Sequence, residues 1–226
     1  MANPFAETWE ELRARATVDA ARRIFAFWDA AATPFYVFVL RPPSALARRV
    51  VEIEQPLIAA GIGHCIPRDF LHVTVQSLGN IGEGELTEQI VDDCADAVAT
   101  TLAGMPPFAV RLRGAGSFGP AAFVAVHEDD ARMPLQRMQR AVVETLVATD
   151  RVPVRHPDRA YVPHLSICYY DRAYPAGDVI GALEPQRHTD IGVMIVGAIE
   201  VVRVVGNGEP YPPMEMVRRI PLGGGV

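Results

Sequence analysis

The chain has 226 residues, half of them hydrophobic and 21% charged. That is enough to bury a substantial core and too apolar for global disorder. Twenty-one basic residues, all Arg, against 27 acidic ones leave a net charge of −6, which argues against coating of long nucleic acid through a broad basic face but not against a small nucleotide or RNA end in a local pocket.

In chain order, residues 6–31 predict one amphipathic helix, with Leu12, Ala16, Ala20, Ile24 and Phe27 along a stripe. Residues 34–41 (PFYVFVLR) predict a buried strand. Pro42-Pro43-Ser44 then opens a helix that runs to about Ala60 and stops at Gly61-Ile62-Gly63. A second strand follows over 71–78, and a helix over 84–103 with Leu86, Ile90, Cys94, Ala97 and Thr101 on one face. Residues 108–113 and 121–127 predict paired strands joined by a Gly-rich turn (GAGSFGP). A helix is predicted over 131–148, where Leu135, Met138, Val142 and Leu146 recur, then a strand over 161–170 and a short helix over 176–184. Two or three strands close the chain, over 191–196, 198–205 and 214–221. This order predicts an α+β fold with largely antiparallel sheets. Residues 1–33 form an N-terminal helical extension and 34–226 one compact domain of two lobes, since no Ser, Pro or Gly-rich linker divides them.

Cys65, Cys94 and Cys168 are odd in number, widely spaced and without a CxxC pair. They point to no disulfide framework and no zinc knuckle, and suit a reducing cytoplasm. No apolar run is long enough to cross a membrane, and Glu7, Glu10, Glu11 and Asp19 do not fit a secretory signal.

Two pentads carry chemistry: LHVTV at 71–75 and PHLSI at 163–167. Both are strand segments with His second and a hydroxyl fourth. Side chains alternate faces along a strand, so His72, Thr74 and Gln76 point one way and Val73 and Val75 the other. The same alternation predicts His164, Ser166, Cys168 and Tyr170 on one face, opposite Leu165, Ile167 and Tyr169. Facing each other across a cleft, two such units make a clamp for a phosphate. One imidazole serves as base on water and the other as acid on the leaving oxygen, while the hydroxyls hold the non-bridging oxygens. Histidine suits both roles because its ordinary pKa lies near neutrality.

The pair His72-Val73-Thr74-Val75 and His164-Leu165-Ser166-Ile167 resembles the two HxTx/HxSx signatures of the 2H phosphoesterase superfamily, the 2′-5′ RNA ligase-like and cyclic phosphodiesterase proteins. Leu71 before the first motif, Leu78-Gly79 after it and Pro163 before the second His are similar too, and the resemblance covers about residues 34–221. It implies a bilobal, pseudo-symmetric fold, with two mainly antiparallel sheets flanked by helices around a central cleft. It also implies His72 and His164 as the acid–base pair, His164 as the residue that activates water, and Thr74 and Ser166 as phosphate ligands. The implied activity is a metal-independent phosphodiesterase without cofactor. It would act as a monomer on a 2′,3′-cyclic phosphate, a related cyclic or 2′-5′ nucleotide, or an RNA 3′ end. A non-catalytic module that binds a cyclic nucleotide or RNA end, and a 2′-5′ RNA ligase-like activity, are the alternatives. Ligase-type members often place an Arg shortly after the second motif and a Phe in the first; here Cys168-Tyr169-Tyr170 and Gln76-Ser77 stand there.

Gln76, Tyr170 and Arg203 are the candidate substrate contacts, Arg203 as a cleft cation or as half of an inter-strand ion pair. Arg151, Arg155 and Arg159 in the loop before the second motif would screen a phosphate chain or be solvated. A metal site is not expected, because Asp69 and Asp171 are poorly placed to complete a ligand set with the two histidines.

Overall fold

The computed structural model describes residues 4–22, 33–82, 85–152, 154 and 160–223. Five helices fall among them: α1 (Pro4–Ala14), α2 (Ser44–Ala59), α3 (Glu88–Leu102), α4 (Pro134–Thr149) and α5 (Ala176–Leu183). The strands are β1 (Thr17–Val18), β2 (Phe35–Leu40), β3 (His64–Cys65), β4 (Val73–Asn80), β5 (Phe108–Phe118), β6 (Ala121–His127), β7 (His164–Tyr169), β8 (Tyr174–Pro175), β9 (Asp190–Val196), β10 (Ala198–Val204) and β11 (Met214–Pro221).

Two four-stranded antiparallel halves form the frame: β11-β10-β2-β4 and β7-β6-β5-β9. They meet between β4 and β7, where Val73 faces Leu165. β3 adds to the far end of β7. Two helices exchange halves. α2 follows β2 in the first half yet packs on β7 and β9 of the second, and α4 follows β6 in the second yet packs on β4 and α3. The result is one contiguous core that runs through both lobes. On β2, Tyr36, Phe38 and Leu40 point into that core, whereas Val37 and Val39 form a small separate cluster with Val202 on the other face.

Local chemistry explains most boundaries. The Thr87 hydroxyl accepts from Ile90 N–H and caps α3. Pro134 opens α4, and the Glu128 carboxylate accepts from Leu135 N–H at 2.5 Å and Gln136 N–H at 3.3 Å, an acid placed where a helix leaves its first amides unpaired. Gly63 takes φ +62°, and a Cβ there would lie 2.5 Å from the Tyr169 carbonyl oxygen, so only Gly lets β3 approach β7.

Two expectations are corrected. The N-terminal helix ends at Ala14 rather than running to 31, because Thr17 and Val18 pair with β8 instead of continuing it; Ile24 and Phe27 lie outside the described residues. α1 is also part of the core: Trp9 and Leu12 are buried, and Trp9 Nε1–H donates to the Ala115 carbonyl at 3.0 Å. Second, the Gly-rich run 114–118 is strand, not turn. β5 continues through it to Phe118, with Gly116 facing Phe123 so closely that a Cβ would lie 2.7 Å from its ring. No described helix is long and apolar enough to cross a membrane.

Candidate active site

Period-two alternation buries Val73 and Val75 on β4, and Leu165 and Ile167 on β7. The half-buried partners His72, Thr74, His164 and Ser166 therefore stand on the opposite face. Val73 is registered with Leu165, so the next antiparallel steps set His72 across from Ser166 and Thr74 across from His164. Directly opposed residues on adjacent strands lie about 5 Å apart. The four side chains thus form a square at the seam of the two halves, each imidazole beside the other motif's hydroxyl.

Both rings are held alike. His72 Nδ1 lies 2.8 Å from the Phe70 carbonyl oxygen and His164 Nδ1 lies 2.9 Å from that of Val162. A carbonyl only accepts, so each Nδ1 carries the proton, and in the neutral ring Nε2 is left as the basic nitrogen. Each ring also meets aromatic edges. Phe70 packs on His72 at 5.7 Å, and Phe118 on His164 at 4.8 Å, both near-perpendicular. The Tyr161 hydroxyl donates to the Thr74 carbonyl at 2.9 Å, tying the entry of the second motif to the strand of the first.

Burial pulls the His72 pKa below the ordinary histidine value. Its bond to the Phe70 carbonyl opposes that pull, and the charges of Arg41 and His164 add to it. Arg41 is a site residue that strand patterning alone did not single out. Leu40 pairs with Val73 and Val39 with Thr74, so one further step sets Arg41 across from His72. Its Nε lies 3.0 Å from Glu200 Oε2, and its Nη2–H donates to the Met214 carbonyl at 3.0 Å.

The alternation fails after Ser166, which corrects two side-chain placements. Ala122 pairs with Cys168 but Phe123 with Ser166, so β7 carries an extra residue there. The bulge turns both Ile167 and Cys168 inward and shifts the phase of the residues beyond it. Tyr170, expected in the cleft, is wholly buried, its phenol 2.9 Å from Ser117 Oγ. Cys168 is buried across from Cys65. Tyr169 takes the partly exposed position instead, its phenol within hydrogen-bond reach of Ser166. It stacks on Tyr211 at 6.3 Å, and Tyr211 meets Phe70 at 5.2 Å, so an aromatic wall runs from Ser166 back to His72. Alternation put Tyr170 outward and Tyr169 inward, and the bulge reverses the two.

Gln76 does not extend the row that Thr74 begins. The register shifts between Phe38 and Val39, and Gln76 Nε2–H donates to the Ser77 carbonyl at 3.1 Å. Arg203 lies on the opposite face, across from the core residue Tyr36, with Nη1 3.5 Å from Glu215 Oε2 and Nη2 4.0 Å from Glu88 Oε1. It is an ion-pair residue rather than a cleft cation. Arg155 and Arg159 lie outside the described residues, and Arg151 is exposed. Among the described residues no three His, Cys, Asp or Glu side chains gather as a metal site.

Comparison with known proteins identifies the fold and the family. The chain is 28% identical over 154 residues to an RNA 2′,3′-cyclic phosphodiesterase of Methanothermobacter thermautotrophicus, covering 66% of this chain and 78% of that protein. Its fold matches TT0787 of Thermus thermophilus with a TM-score of 0.63 at 20% identity, over 84% of this chain and 98% of that one. E. coli LigT, crystallised with 3′-AMP, matches with a TM-score of 0.62 at 12% identity, again over 84% and 98%. Residues 42–208 match the family described as the 2′-5′ RNA ligase superfamily, and the chain belongs to that superfamily of 2H phosphoesterases.

Proposed function

We propose that the protein hydrolyses a 2′,3′-cyclic phosphate, on a nucleotide or at an RNA 3′ end, to a phosphomonoester. The observation that carries this reading is the square of His72, Ser166, His164 and Thr74, with both Nδ1 atoms bonded to backbone carbonyls. Two imidazoles with defined tautomers and two hydroxyl donors are what in-line opening of a cyclic phosphodiester requires.

The pull on His72 below the ordinary histidine value favours it as the base, the reverse of the assignment implied by the family resemblance. Neutral His72 Nε2 accepts a proton from water as the water oxygen bonds to phosphorus. The bond from phosphorus to the 2′ or 3′ oxygen breaks, and protonated His164 gives its Nε2 proton to that oxygen. Thr74 and Ser166 donate to the non-bridging oxygens. The two rings end with their protonation states exchanged, and solvent restores them. The relative from M. thermautotrophicus, named for this reaction, supports the same reading.

The test is turnover of the four nucleoside 2′,3′-cyclic monophosphates and of a short RNA ending in a cyclic phosphate, with EDTA present. Wild type should turn over at least one of them. His72→Ala and His164→Ala should each lose about two to four decades in rate, the span of general acid–base groups. Binding of a cyclic nucleotide without turnover by wild type would overturn the reading in favour of a binding module.

A further inference from the structure

A phosphodiester held by two hydroxyls and two imidazoles gains negative charge as water adds to phosphorus. Hydroxyl donors stabilise that charge weakly compared with a cation held in a site with little water. Successive cross-strand steps set Ser166, His72 and Arg41 in one row across β7, β4 and the end of β2. The guanidinium donates to the Met214 carbonyl through Nη2 and forms an ion pair with Glu200, whose Oε2 lies 3.0 Å from Nε without the alignment of a hydrogen bond, and the side chain is only 28% exposed. The remaining nitrogen, Nη1, makes no bond or ion pair among the described residues.

We infer that Arg41 is the phosphate-charge ligand of this site: Nη1 contacts a non-bridging oxygen of the reacting phosphate, and Glu200 and the Met214 carbonyl hold the guanidinium in the position to do so. This rests on the phosphodiesterase reading above and names a further residue within it. Glu200 is then a positioning residue. It is across from Val39, itself across from Thr74, so it stands on the same sheet face as the hydroxyl of the first motif, two strands away. The fixed fork matters because a planar guanidinium presents donors in set directions, whereas an ammonium offers only a point charge.

The experiment compares wild type with Arg41→Gln, Arg41→Lys and Glu200→Gln on the cyclic phosphate that wild type turns over, with thermal melts to confirm folding. Arg41→Gln should lower kcat by about 10²–10³, the cost of losing one charge-stabilising donor, with a smaller change in KM. Arg41→Lys should recover only part of that. The acid limb of the rate profile should also move to higher pH in Arg41→Gln, since Arg41 and His164 are the charges that act on His72. Glu200→Gln should keep the charge and lose orientation, with a kcat loss smaller than that of Arg41→Gln. A folded Arg41→Gln whose kcat lies within threefold of wild type would overturn the assignment. If Arg41→Gln does not fold, Arg41→Lys decides: wild-type kcat and pH profile in that variant would overturn it. If wild type turns over no cyclic phosphate, the phosphodiesterase reading fails separately. Thermal protection by inorganic phosphate then tests Arg41: protection of wild type lost in Arg41→Gln supports it, and equal protection of both overturns it.

Discussion

Val73 and Leu165 face each other across the seam between the two halves of the sheet, and neither has any solvent exposure. Each directly follows a motif histidine in sequence, so their packing sets the distance between His72 and His164. The aliphatic residues of the two pentads are therefore the mechanical link between the lobes.

Leu165→Ala should cost about 2–5 kcal/mol of stability, as truncation of a fully buried Leu does where the site collapses only partly. Leu165→Met, which keeps the volume, should cost less than about 1.5 kcal/mol. Denaturant midpoints measure both. Because α2 and α4 exchange halves, both proteins should unfold in one cooperative transition; a loss below about 0.5 kcal/mol in Leu165→Ala would show that the seam is not packed as described.

The bulge in β7 separates the roles of the two adjacent tyrosines. Tyr170→Phe removes the phenol paired with buried Ser117, and should cost about 1 kcal/mol of stability with KM unchanged. Tyr169→Phe removes the phenol beside Ser166 and should raise KM while leaving the melting temperature close to wild type. The opposite pattern in paired melts and steady-state kinetics would show that strict alternation continues past Ser166.

Glu54 on α2 is 2% exposed, and its Oε1 has no hydrogen-bond partner among the described residues. Burial, aided by the neighbouring Cys65, pushes its pKa up to about 9. The folded chain then holds a proton that the unfolded chain releases near the ordinary carboxyl value. Stability contributed by the neutral carboxyl is complete below that value and is lost as pH rises toward about 9. The slope from this group is at most about 1.4 kcal/mol per pH unit. Glu54→Gln should flatten that slope and be more stable than wild type at pH 8. Parallel slopes for the two proteins in urea titrations between pH 5 and 9 would refute the buried-carboxyl account.

Local pattern determined much of this protein. The spacing of Leu135, Met138, Val142 and Leu146 located α4, and all four are buried. The alternation of His72 and Thr74 with Val73 and Val75, and of His164 and Ser166 with Leu165 and Ile167, separated the polar from the buried face, because a strand puts successive side chains on opposite sides whatever it pairs with. What only the tertiary structure decided depends on strand register. Arg41 is 31 positions from His72 and became its neighbour through the β2–β4 pairing. The bulge that buried Tyr170 and released Tyr169 arises from pairing with β6, and the two-residue strands β1, β3 and β8 exist only against their partners. Periodicity reports which face a side chain takes along one strand. Register reports which side chains meet across strands, and it is set by long-range packing that no window of the chain contains.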